Sequence, residues 1–203
     1  MPTDLQLTDR TRETRDKLLR TAKAIFEEEG YDATSVASIV EGAEVSRGTF
    51  YLYFQSKEDI FRTLALEIQE SLVTLQRSHR KLKPEEFIER SIAAFMVFYR
   101  QNARMMAVLE QVATYDRGFR ELRRDMRRSV ADRAIRFIRD GQRRGVLDTS
   151  IDARYAGTAL TGMVDRFAYV WLILEEDFDE DEVVTNLTRL WYQAVGGHLD
   201  PID

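Results

Sequence analysis

The side chains best suited to chemistry lie close together: Arg47, Thr49, Tyr51, Tyr53 and Lys57. Their groups fit a nucleic-acid duplex rather than a reacting centre. Arg47 can donate two hydrogen bonds to guanine O6 and N7. Thr49 can meet a thymine methyl or hydrogen-bond a base edge. Tyr51, Tyr53 and Lys57 can reach phosphate oxygens, which fixes register without reading sequence. Gly48 lets the backbone approach a phosphate closely.

The residues from Thr34 to Lys57 must position these groups. Thr34 is placed to cap a first short helix, in which Val36, Ile39 and Val40 share one face. Gly42 is expected to end it in the left-handed conformation. Ser46 then caps a second helix, with Phe50 and Phe54 on its inner side. Ser56-x-x-Asp59 is a capping-box pattern that starts the next helix. Two short helices joined by a tight turn make a helix-turn-helix, whose second helix can enter the major groove.

The full pattern runs Gly30-Tyr31-x-x-Thr34, Ile39, Ala43-x-Val45-Ser46-Arg47-Gly48-Thr49-Phe50-Tyr51-x-Tyr53-Phe54-x-Ser56-Lys57-x-x-Ile60. It resembles the DNA-binding region of the TetR family of transcriptional repressors. The resemblance implies an all-α chain of about nine helices. A three-helix helix-turn-helix DNA-binding domain over residues 1–56 would precede a helical ligand-binding and dimerisation domain over 57–203. Ser35, Ser46, Arg47, Gly48, Thr49, Tyr51, Tyr53 and Lys57 form the expected DNA-contacting set.

The chain has 203 residues, 44% hydrophobic, with three prolines and no cysteine. That composition suits helices and rules out a disulfide framework or thiolate metal site. The formal net charge of −5 counts against a nonspecific nucleic-acid coat protein. A local basic edge from Arg10, Arg12, Arg15, Arg47 and Lys57 is still available. The longest apolar runs are too short to span a bilayer, and the first residues lack a signal-peptide core. The expected location is the cytoplasm.

In chain order, Thr8 is expected to cap a helix running to about Glu29, closed by Gly30. A connecting helix follows over 57–80, with a polar break at about 79–83. Pro84 opens an apolar helix to about Gln101, and Asn102 is expected to start another. Tyr115–Gly118 reads as a loop. The arginine-rich segment from Phe119 to Arg144 reads as a solvated face, because acids are interleaved at i, i+3 and i+4 spacing. Two long helices close the chain, from about Asp152 to Glu175 and from Asp179 to Val195. They would pair with a second copy in a four-helix bundle. Leu160, Val164, Trp171, Leu187, Leu190 and Trp191 are the expected dimer contacts.

Only two histidines are present, His79 and His198, and no metal, phosphate-loop or nucleophile motif. No cofactor or metal is expected. Aromatic and methionine side chains are concentrated in the middle of the chain. Phe95, Met96, Tyr99, Met106, Leu109, Tyr115, Phe137, Met163 and Phe167 are candidates to line an apolar cavity. Asp165 and Arg166 are candidates to orient a polar end of the ligand. The function expected is a homodimeric repressor on a palindromic double-stranded operator, released by a small apolar effector. A helical carrier or enzyme acting on apolar molecules is the alternative.

Overall fold

The computed structural model describes residues 9–75 and 82–197, and these form eight α-helices. The helices are α1 (Asp9–Glu29), α2 (Val36–Gly42), α3 (Arg47–Tyr53), α4 (Lys57–Leu75), α5 (Pro84–Tyr115), α6 (Arg117–Arg143), α7 (Ala153–Leu172) and α8 (Glu180–Ala194). The cap at Thr8 and most of the break expected near residue 79 lie outside the described residues, as does His198.

α1 buries Leu18, Ala22 and Phe26, a stripe at i, i+4, i+8 along one side. Gly30 ends it with φ +82, where a side chain would be strained. Across this end stands an aromatic cluster. Phe61 of α4 lies 4.8 Å from Phe26, 4.9 Å from Tyr31 and 5.0 Å from Phe119 of α6, between ring centroids. Such edge and tilted pairs are favourable for aromatic quadrupoles. The cluster joins the N-terminal helices to the first turn of α6.

The count of eight rather than nine comes from α5. The helix runs unbroken for 32 residues. Asn102 does not start a new helix. Its amide donates to the Phe98 carbonyl at 2.9 Å, inside the existing helix. The expected loop at Tyr115–Gly118 shrinks to one residue, Asp116. It ends α5, and its carboxylate accepts from the Phe119 N–H to cap α6. Pro84 does open α5, with Glu85 and Glu86 in its first turn. Asp152 caps α7 by accepting from the Arg154 and Tyr155 N–H groups.

α5 buries Ile88, Ile92, Phe98, Met105, Leu109 and Val112 and packs on α6, α7 and α8. It is the central helix of the C-terminal part. Gly141 of α6 lies against Leu147. Gly157 of α7 approaches the Ile135 backbone so closely that a Cβ would sit 3.0 Å from its nitrogen. Among the described residues no helix is long and apolar enough to cross a membrane.

Candidate nucleic-acid interface and ligand cavity

α2 begins one residue later than the sequence suggests. Ser35, not Thr34, is the N-cap. Its hydroxyl accepts from the Ser38 N–H, and the Ser38 hydroxyl accepts from the Ser35 N–H, both at 3.0 Å. Thr34 is buried and its hydroxyl donates to the Gly30 carbonyl at 2.6 Å, which braces the turn after α1. Gly42 does not take the left-handed conformation. It is the last residue of α2, and a Cβ there would lie 2.9 Å from Thr21 Cγ2 of α1. The positive φ falls on Glu44, at 50°. Its carboxylate holds Lys17 of α1 at 3.1 Å.

α3 is seated by Phe50 and Phe54, both buried. Ser46 caps it, accepting from the Thr49 N–H at 3.0 Å, and the two hydroxyls lie 2.9 Å apart. Arg47, Gly48 and Tyr51 face solvent, while Thr49 and Tyr53 are half-buried. Directly opposite Phe50 and Phe54 on a 100°-per-residue wheel stands Leu52. It is 81% exposed, the highest value among the large exposed apolar side chains described. Leu52 is not among the residues expected to contact DNA. The signal was present, since an apolar residue two positions from each of Phe50 and Phe54 cannot share their face.

Lys57 is held differently from its neighbours. Its ammonium donates to the Tyr31 carbonyl at 2.8 Å and lies 4.4 Å from the Tyr31 ring centre. It fixes the start of α4 against the turn after α1. Tyr31 donates to Glu58 at 3.2 Å, and burial first, then Glu58, pushes its phenol well above the ordinary value. Arg15 of α1 sits 5.7 Å from the Phe54 ring centre and 3.6 Å from Glu67 of α4.

Two cavities lie in the C-terminal part. The larger, of about 1240 Å³, lies among α5, α6 and α7 and reaches Leu72 of α4 and Glu27 of α1. Phe95, Tyr99 and Met106 line it, as do Asp165 and Arg166. A smaller one of about 70 Å³ is lined by Phe87, Phe95, Phe137 and Trp191, among others. Met96 and Leu109 are buried but line neither, and Met163 and Phe167 pack against the core without lining either. Tyr115 is half exposed, and its hydroxyl donates to Asp32 at 2.9 Å. Its place is at the junction of α5 with the N-terminal helices rather than in a cavity.

The reading of α6 as a solvated face needs correction at Arg123, whose side chain is 7% exposed. It donates to Glu110 of α5 at 2.6 Å and to Asp165 of α7 at 2.9 Å. Arg127, one turn on, reaches the same two carboxylates at 2.9 and 3.2 Å. Burial by itself would lower the pKa of Arg123, but Asp165 and Glu110 outweigh it and raise the value. Two charges of each sign thus tie three helices together. Asp165 is therefore already paired, while Arg166 stacks on Tyr169 at 4.6 Å.

The expected dimer contacts divide as well. Val164, Leu187 and Trp191 are buried within the single chain, with Val164 and Trp191 in the wall of the small cavity. Side chains so enclosed cannot meet a second copy. Leu160 and Trp171 are partly buried, and Leu190 is 56% exposed.

Comparison with known proteins agrees with this architecture. The family described as "Bacterial regulatory proteins, tetR family" matches residues 18–64. "Transcriptional regulator EthR, C-terminal domain" matches residues 88–197, more than half of the chain. The HTH-type transcriptional repressor BepR of Brucella suis is 28% identical over 181 residues, covering 82% of this chain and 84% of that protein. The regulator QacR of Staphylococcus aureus is 42% identical over 57 residues, 28% of this chain and 30% of that protein. Among solved structures, a TetR-family regulator from Syntrophomonas wolfei superposes with a TM-score of 0.77 at 22% identity, covering 93% of this chain and 97% of that chain. Salmonella enterica GusR gives 0.75 at 21%, covering 95% and 100%. The enzyme alternative falls with these matches, since both family models describe regulators. The chain belongs to the TetR family of transcriptional regulators.

Proposed function

We propose that this regulator is a homodimeric repressor that binds a palindromic operator through α3 and is released by a small effector with a large apolar part. The observation that carries the reading is the seating of α3. Phe50 and Phe54 hold one side, and Arg47, Gly48, Tyr51 and Leu52 are left facing outward. A single exposed leucine is ordinary in water, and beside an arginine and a tyrosine it can meet a thymine methyl in a major groove. Ser35 and Ser46 then present capped helix N-termini, which favour phosphate.

The repressor sense follows the similarity to BepR of Brucella suis, a transcriptional repressor. The effector reading is supported by the cavity that touches both α5–α7 and Leu72 of α4. A ligand that prefers the DNA-free arrangement by ~1–3 kcal/mol weakens DNA binding about 5- to 150-fold. We place the functional division within α4: Ile60, Phe61 and Leu64 pack in the core that seats the reader, and Leu72 meets the cavity. For the dimer we propose the outer face of α7 and α8, where Tyr155 is 76% and Leu190 56% exposed.

A footprint over the DNA upstream of the protein's own coding region tests the proposal. A protected palindrome, released by ligand, is the expected result. No protection there or on any genomic fragment captured by the protein would sink it.

A further inference from the structure

The two cavities differ in chemistry and share a wall. Phe95, Val130 and Thr161 line both. The small one is lined by Phe87, Phe137 and Trp191, with Phe87 and Phe137 stacked at 4.7 Å and Arg133 5.6 Å from the Phe87 ring centre. Its 70 Å³ is several times the ~10–15 Å³ that one water centre needs, so it can take the end of an alkyl or aryl tail. The large cavity is arginine-rich. Among the described residues, seven arginines and four carboxylates line it, and no lysine. Arg123 and Arg127 are committed to Glu110 and Asp165. The rest of the lining holds five arginines, all exposed at the rim, against Glu27 and Asp132. Of these, Arg124 lies 3.7 Å from its neighbour Asp125, and Glu27 lies 3.9 Å from Lys23, which leaves the surplus in place.

This surplus is not inherited from composition, since the whole chain carries a net charge of −5. A concave site lined by one sign of charge focuses its field and gathers ligands of the other. Guanidinium groups suit oxyanions in particular, because their planar fork matches two oxygens at once. We infer that the effector is an amphipathic oxyanion: an apolar tail ends in the small cavity beside Trp191, past Phe95 and Thr161, and a carboxylate or phosphate head faces Arg104 and Arg166 in the large one. This rests on reading the cavities as the effector site. It narrows that site to one charge class, with the tail in the small cavity and the head in the large one on either side of Phe95 and Thr161.

The test uses matched single-chain probes below their micellar range: dodecanoate, dodecyl phosphate, dodecanol and dodecyltrimethylammonium. Trp171→Phe leaves Trp191 as the one tryptophan, since the chain has two. Binding is followed by its fluorescence, and dodecanoate brominated near its methyl end locates the tail. The expected result is quenching of Trp191 by the brominated tail, with both anions bound at least tenfold tighter than the cation. Which anion binds better separates carboxylate from phosphate. Arg104→Gln with Arg166→Gln is expected to weaken dodecanoate about tenfold and leave dodecanol unchanged. Equal or reversed charge preference, or anion binding without quenching of Trp191, overturns the inference. Operator release is measured separately. Anion binding at Trp191 that releases no operator keeps the ligand class and contradicts the effector role.

Discussion

The Tyr115 hydroxyl donates to the Asp32 carboxylate at 2.9 Å, tying the last residue of α5 to the turn that follows α1. One residue on, Asp116 caps α6, and Phe119 enters the aromatic cluster with Tyr31 and Phe61. These contacts give a shift of α5 or α6 a physical route to the turn ahead of α2. Tyr115→Phe and Asp32→Ala are each expected to reduce the ligand-induced change in operator affinity by the worth of one hydrogen bond, ~0.5–1.5 kcal/mol. The double variant should lose no more than either alone. Additive losses in a ligand titration of operator release would show that the two do not act together. Desolvation first, then Asp32, pushes the Tyr115 phenol from 10.0 up to about 12. The donor is the protonated phenol, so its contribution is whole below the unfolded value of about 10 and is lost as pH rises towards 12. The coupling should carry no Tyr115 titration between about pH 6 and 9.

Leu52 projects away from the core and contributes little to stability. Leu52→Ala should leave the melting temperature within the scatter of a surface change, ~0.5 kcal/mol or less. Its effect should fall on DNA, as a lost preference for thymine at one position of each half-site, where the methyl gives leucine an apolar contact. Competition binding with uracil substituted for single thymines reads this directly. A variant that binds thymine and uracil operators as differently as the parent does would remove Leu52 from base reading.

Arg47 and Tyr51 are expected to fail in different ways. Arg47→Ala should cost about 1–3 kcal/mol and relax preference at one base pair. Tyr51→Phe should weaken every operator variant alike, as a phosphate contact does. A scan of single-base operator variants separates the two patterns. Sequence-dependent loss in Tyr51→Phe would contradict a phosphate role.

The four-charge knot should be a stability element more than a ligand contact. Removing Asp165 leaves the buried Arg123 with Glu110 alone and short of one charge-assisted bond, so Asp165→Ala should destabilise by ~1.5–3 kcal/mol. Arg127→Ala should cost far less, because that side chain is 56% exposed. Urea unfolding of both variants measures the contrast. Equal losses would mean that Arg123 is not held by Asp165 as the 2.9 Å contact implies.

The reader was legible in the sequence because its signals are local. Ser46 and Thr49 are three residues apart, as are Ser56 and Asp59, and each cap bonds within its own turn. What escaped notice depends on distance along the chain. Arg123 meets Glu110 across 13 residues and Asp165 across 42, so its burial could not be read from the alternation of charges on α6. Asn102 looked like a helix start because it is a good cap, but continuous burial of Met105, Leu109 and Val112 on the same helix carried α5 through it. Val164, Leu187 and Trp191 have helical spacing that fits an inner or an outer face, and only packing against α5 and α6 decided for the inner. Thr161, which lines both cavities, carries no sequence signal for that place.

Selection of duplexes from a random DNA library by the purified protein, at moderate salt, tests whether α3 reads a two-fold operator as part of a dimer. The expected result is enrichment of an inverted repeat with half-sites about one helical turn or more apart, bound by an even number of chains, and loss of one selected base per half-site in Arg47→Ala. Enrichment of no motif, or of a motif without two-fold symmetry, would contradict it.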